Sequence, residues 1–236
     1  MCPIDSQVAE AAVEFARANR KRIAREVADP ETYPPEADPV SVFMAGSPGA
    51  GKTEASIELI GRFPEWRILR IDPDELRELF PGYTGGNAWL FQRAVARIVD
   101  AVLDQAFHRR LSFVLDGTFS SYEVARKNVE RSLDAGRRVQ ILYVYQAPML
   151  AWGFVQAREA AEGRRIEPAS FVEQYFGARE VVNRLKAELG TAIHVDLLMK
   201  NNDNSNRFYR AGVDRIDSHI PEQAGRAELE RLLGLA

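Results

Sequence analysis

Apolar and polar positions follow two different periods along this chain. Between residues 6 and 27, Val8, Ala11, Ala12, Phe15, Ala16, Ile23 and Val27 recur at near-helical spacing, which predicts a helix. Its other face carries Arg17, Arg20, Lys21, Arg22 and Arg25, and reads either as a solvated surface or as a binding patch. A connector holding Pro30, Pro34, Pro35 and Pro39 follows. From residue 40 onward, short apolar runs at 40–45, 67–71, 112–115, 139–145 and 193–198 predict five strands. Between and after them, helix-period segments lie at 52–62, 74–80, 87–107, 122–135, 149–161, 169–189 and 222–233. The strand runs are continuously apolar, as strands covered on both faces must be. The fold class expected is therefore α/β, a mostly parallel five-stranded sheet with helices on both faces. One domain is expected over residues 1–236: an N-terminal helix at 6–27, a connector at 28–39, a core at 40–200 and a C-terminal extension at 201–236.

Composition narrows the class. Apolar residues make up 46% and charged residues 28%, the balance of a globular enzyme and not of a disordered tail. A formal net charge of −3 argues against a general nucleic-acid binder. The single cysteine, Cys2, excludes an internal disulfide framework and fits a reducing compartment. No run approaches the roughly 18 to 20 apolar residues that cross a bilayer. The N-terminus lacks the charged-then-apolar order of a signal peptide, so a cytoplasmic protein with no membrane partner is expected.

Chemistry enters with Gly46, Ser47, Pro48, Gly49, Ala50, Gly51, Lys52 and Thr53, which satisfy G-x-x-x-x-G-K-[ST] in full between a strand and a helix. In such a loop the backbone N–H groups turn onto phosphate oxygens, Lys52 reaches the β- and γ-phosphates, and the Thr53 hydroxyl holds Mg²⁺. The run at 112–115 delivers Asp116 to the carboxyl edge of the sheet, where it suits a Mg²⁺ partner. No Asn-Lys-x-Asp guanine reader and no ABC-type Ser-Gly-Gly signature is present, which leaves a kinase-like P-loop protein. A second acid cluster, Asp72-Pro73-Asp74-Glu75, follows the run at 67–71. Asp74 there is either a helix cap or the base that takes a proton from an acceptor hydroxyl. Arg158 precedes a break at Gly163, and Arg164 and Arg165 follow it. These arginines read either as a lid over the transferring phosphate or, for Arg158 with Glu162, as an ordinary i,i+4 pair.

The ordered set GSPGAGKT, IDPDELR, LDGT and an arginine-bearing helix followed by EGRRIEP resembles the zeta toxin family of P-loop kinases over roughly residues 10–200. The resemblance implies a toxin of a toxin–antitoxin system that uses ATP or GTP to phosphorylate the 3′-hydroxyl of UDP-N-acetylglucosamine. It implies a small helical antitoxin that covers the nucleotide site. By the same resemblance the catalytic base falls on Asp74, the P-loop lysine on Lys52, and the two lid arginines on Arg158 and Arg165. Asp74, Arg77, Asp100, Asp116 and Thr118 form the acceptor-binding set it implies, with Thr53 and Asp116 on the metal. The chain departs from the family pattern at Asp100 and Asp116, each a methylene shorter than the usual glutamate, and at Ser120, where a basic residue is usual. The run Asn201–Ser205 has no counterpart in the pattern. Asp100 reads equally well as a surface partner of Arg97, and Trp89 and Trp152 read as packing residues. Two other functions fit the same motifs: a kinase of another small-molecule or nucleic-acid hydroxyl, and a non-catalytic ATP-binding module.

Overall fold

The computed structural model describes residues 3–203, 205–221 and 225–235. Its first helix, α1 (Pro3–Val27), buries Ala12, Val13, Ala16, Ile23 and Ala24 and leaves the arginine face outward. The connector after it is tied down by two neighbouring arginines: Arg109 donates to the carbonyls of Ala28 and Tyr33, and Arg110 to those of Glu36 and Ala37.

The sheet then forms from β1 (Val40–Ala45), β2 (Leu69–Ile71), β3 (Phe113–Leu115), β4 (Arg138–Tyr145), β5 (Ile193–Lys200) and β6 (Asn206–Arg210), in the spatial order β2-β3-β1-β4-β5-β6. The first five strands are parallel, with Val42 opposite Val114 on one side and Gln140 on the other. The sixth runs antiparallel to β5. A sixth strand corrects the five expected. An edge strand that leaves Phe208 and Tyr209 exposed needs no continuous apolar run, so nothing in the hydrophobic pattern announces it. The Asn201–Ser205 stretch turns the chain into it, with the Asn201 N–H donating to the Ser205 carbonyl at 2.7 Å.

Six of the remaining helices are α2 (Lys52–Gly61), α3 (Pro73–Arg77), α4 (Gln92–His108), α5 (Tyr122–Asp134), α6 (Pro148–Glu162) and α7 (Pro168–Leu189). The last is α8 (Arg226–Leu232), where the expected span 222–233 includes three positions outside the described residues. One sheet face packs Phe43, Phe113, Ile141, Val195 and Leu197 with Ile98, Val129, Val181 and Leu185 from α4, α5 and α7. The other face packs Val42, Met44, Leu142, Val144 and Leu198 with Ala55, Leu59 and Ile60 of α2. This strand order puts the loop after β1 at the point where connections diverge to either side, the position at which open α/β sheets bind ligands. No helix of the described residues is long and apolar enough to cross a membrane.

Candidate active site

The loop between β1 and α2 is built by glycine backbones. Gly46, Gly49 and Gly51 have φ of +134°, +72° and +83°, conformations that turn successive N–H groups to one side. At Gly49 a side chain is also excluded by space, because a Cβ would stand 2.1 Å from the Ala151 carbonyl oxygen of α6. Within the loop the Lys52 ammonium donates to the Ser47 carbonyl at 2.7 Å. Burial pushes the Lys52 pKa down to about 8, against the raising effect of Asp116 and Asp74. The positive charges of Arg164 and Arg158 also reach it.

Beside this cradle, three carboxylates gather at the ends of β2 and β3, and each has a different task. Asp72 is the cap of α3: its backbone is extended and its carboxylate accepts the Asp74 N–H at 2.8 Å. Asp74 is thereby released from capping. Its Oδ1 accepts from Arg77 at 2.6 Å, and its Oδ2 forms an ion pair with Arg164, which reaches over from the segment after α6. Asp116 is buried, and its Oδ2 accepts from Ser56 and from Arg70, both at 2.9 Å. Thr118 lies just beyond, with its hydroxyl 3.1 Å from Ser120 and its carbonyl accepting the Gly46 N–H. The next residue, Phe119, holds φ at +59°, an uncommon strain for a bulky residue, and its ring lies 5.7 Å from Phe43.

Arg70 joins these pieces, and motif reasoning passed it over. From the middle of β2 it donates to Ser56 on α2, to Asp72 and Glu75 around the start of α3, and to Asp116 after β3. The signal was present, since an arginine between Leu69 and Ile71 in a buried strand needs internal partners. Without Arg70, two buried carboxylates would lack their cation. We expect Arg70→Met to lose about 3–5 kcal/mol of stability, as breaking a buried ion pair does. Arg70→Lys should lose clearly less, and urea unfolding of both variants checks this.

The segment after α6 gives a mixed result. Arg158 pairs with Glu162 at 3.1 Å and is exposed, the local pairing weighed above. Arg165 faces outward with Glu167, while Arg164, only 19% exposed, holds Asp74. The chain reaches Asp74 because Gly85 lets it pass, since a Cβ there would stand 2.8 Å from the Glu162 carbonyl oxygen. Lys52, Asp74, Asp116 and Arg164 are therefore brought together. Asp100 is not among them: it pairs at 3.5 Å with Lys127 of α5, on exposed surface, and not with Arg97. Arg77 belongs to the cluster, buried and also bonded to Gln92. Trp152 packs on Phe171 at 5.2 Å as expected, whereas Trp89 is 59% exposed.

Thr53 and Asp116 offer oxygen donors of the kind Mg²⁺ prefers, and among the described residues no hydrogen bond uses Asp116 Oδ1. Among the described residues no group of three or more His, Cys, Asp or Glu side chains could hold a metal.

Comparison with known proteins places this geometry. No curated protein matches the chain significantly. Among solved structures, the PezAT chromosomal toxin–antitoxin system of Streptococcus pneumoniae is similar at 16% identity and a TM-score of 0.63, over 92% of this chain and 86% of that one. The AvrRxo1-ORF1:AvrRxo1-ORF2 complex solved with sulphate ions is similar at 12% identity and 0.57, over 90% and 70%. The same complex solved with ATP gives 14% and 0.56, over 85% and 65%. At such identities these likenesses establish the fold. The family model for zeta toxin matches residues 24–214, from the end of α1 through β6. The chain belongs to the zeta toxin family.

Proposed function

We propose that this protein is a cytoplasmic toxin kinase that transfers the γ-phosphoryl group of ATP or GTP to a hydroxyl of a nucleotide sugar, the 3′-hydroxyl of UDP-N-acetylglucosamine. The observation that carries the reading is the placement of Asp74. It is freed from capping by Asp72, lies within reach of Lys52's charge, and is bridged by Arg77 and Arg164. A nucleotide-binding switch has no use for such a carboxylate.

In the reaction, the loop N–H groups and Lys52 bind the β- and γ-phosphates, and Thr53 and Asp116 would hold Mg²⁺. The metal supplies charge neutralisation on the phosphate oxygens. Arg164 turns from Asp74 to the γ-phosphate, which leaves Asp74 Oδ2 open while Arg77 keeps the carboxylate in place. The acceptor hydroxyl then gives its proton to Asp74 as its oxygen bonds to phosphorus, and the bond to the departing nucleoside diphosphate breaks. Arg158 is the first cation of the lid, reaching the phosphate once it leaves Glu162. A small helical antitoxin that covers the nucleotide site would keep the enzyme silent.

The resemblance put the second lid arginine at Arg165, and we assign it to Arg164. Arg164→Ala should lower turnover by roughly 10²- to 10³-fold with little change in nucleotide affinity, the worth of a lost transition-state cation. Arg165→Ala should stay near wild type, and steady-state kinetics of both variants decides the register.

Incubation with ATP, Mg²⁺ and a panel of UDP-sugars, nucleosides and RNA ends tests the acceptor. A gain of one phosphate on UDP-N-acetylglucosamine alone is expected. Phosphate on a nucleoside or an RNA end instead would replace this acceptor and leave the kinase reading intact. ATP binding without transfer to any of them would favour the non-catalytic module.

A further inference from the structure

Away from the catalytic edge, α1 and α4 lie side by side and leave a groove of about 300 Å³, lined by Arg20, Lys21, Arg25, Ala101, Asp104 and Gln105. The two helices run in the same direction. Phe15 of α1 packs against Phe80, which meets Phe91 just before α4 edge to face, and Ala28 after α1 meets Arg109 after α4. The groove therefore belongs to the half of the helix pair nearer Arg109, Arg110 and Ser112, at the amino edge of the strands. The P-loop lies at the opposite edge.

The charges in the groove are unbalanced. Arg17 and Arg22 on the same helix have acid partners, Glu14 at 2.5 Å and Glu26 at 2.8 Å. Arg20, Lys21 and Arg25 make no ion pair or hydrogen bond among the described residues. Lys21 and Arg25 stand one helical turn apart, a like-charge spacing that disfavours the helix unless an anion sits between them. Asp104, the one acid lining the groove, is already held by Arg131 at 2.5 Å, and nearby Asp100 is held by Lys127. The chain as a whole is slightly acidic, so this positive groove is not a by-product of net charge.

We propose that the α1–α4 groove is a second anion site, which takes a small ligand carrying two or more adjacent phosphate groups. Two guanidinium forks and an ammonium suit phosphate oxygens at that spacing. The Gln105 amide adds a neutral donor. The volume of this open groove fits a small molecule, and among the described residues no aromatic side chain lines it to stack a base, as single-strand binding would use.

The test uses the full chain with Lys52→Ala, which weakens the P-loop's attraction, and inorganic triphosphate as the probe in a calorimetric titration. Saturable binding that weakens with salt is expected. Adding Arg20→Gln, Lys21→Gln and Arg25→Gln should weaken it by about tenfold or more, as charge-assisted phosphate contacts are lost. Adding Arg22→Gln alone should leave it unchanged, because Arg22 lies outside the groove. All four side chains are exposed, and a melting curve for each variant verifies that it is folded. Absence of saturable binding to Lys52→Ala would overturn the proposal. So would equal binding after the triple substitution, or an equal loss from Arg22→Gln, which would mark a diffuse field and not a site.

Discussion

Lys52→Ala should be folded and should transfer phosphate at least about 10³-fold more slowly than wild type, since a preorganised cation at the transferring phosphate is lost. Nothing else replaces it. Arg158 and Arg164 come from α6 and the segment after it, and in this structure each is already paired with a carboxylate. Folding should not suffer. Burial holds Lys52 near pKa 8, below its unfolded value, so its charged form opposes folding at pH 7. That cost is fully present below about pH 8 and fades as pH rises towards the ordinary lysine value, where the group is neutral in both states. The variant lacks the cost, so at pH 7 it should melt no lower than wild type. Over the same rise in pH its stability should climb less steeply. Melting curves at pH 7 and pH 9, beside turnover at saturating ATP, check both halves of this expectation.

What the sequence made legible was chiefly local. The phosphate loop could be read because its glycines, Lys52 and Thr53 are contiguous, and because the apolar run before it is a strand buried on both faces. The acid cluster could be located but not apportioned. Asp72 and Asp74 both fall at the start of one short helix, and only the extended backbone of Asp72 decides which of them caps it. The Arg70 network was out of reach of spacing rules, because Arg70 reaches Asp116, 46 positions on, through the pairing of β2 with β3. Asp100 shows the same limit: its partner is set by the approach of α5 and not by its own helix. The register of the lid also needed the structure, since the left-handed turn at Gly163 decides which of two adjacent arginines faces the cleft. Exposed features escaped for a different reason. Trp89 and, in β6, Phe208 and Tyr209 are largely exposed, so the hydrophobic pattern carries little information about them.

Asp74→Asn is expected to be folded, to bind nucleotide and to turn over roughly 10²- to 10⁴-fold more slowly, the usual worth of a positioned general base. Asparagine keeps the size of the side chain and one acceptor for Arg77, but it cannot take the hydroxyl's proton. Some stability should go with the charge. Arg77 is buried, and weakening its charge-assisted bond should cost about 1–2 kcal/mol, less than leaving it with no partner. Asp72→Asn is the natural control. Asparagine caps a helix about as well as aspartate, and Arg70 keeps Asp116 and Glu75, so that variant should retain most of its turnover. The decisive measurement is phosphate transfer by Asp74→Asn and Asp72→Asn at saturating ATP and acceptor, with nucleotide affinity and melting recorded on the same samples. The account predicts a folded, nucleotide-binding Asp74→Asn protein that is nearly inactive beside an active Asp72→Asn protein. Normal turnover in a folded Asp74→Asn protein would contradict it and move the base elsewhere, with Asp116 the next carboxylate in the cluster.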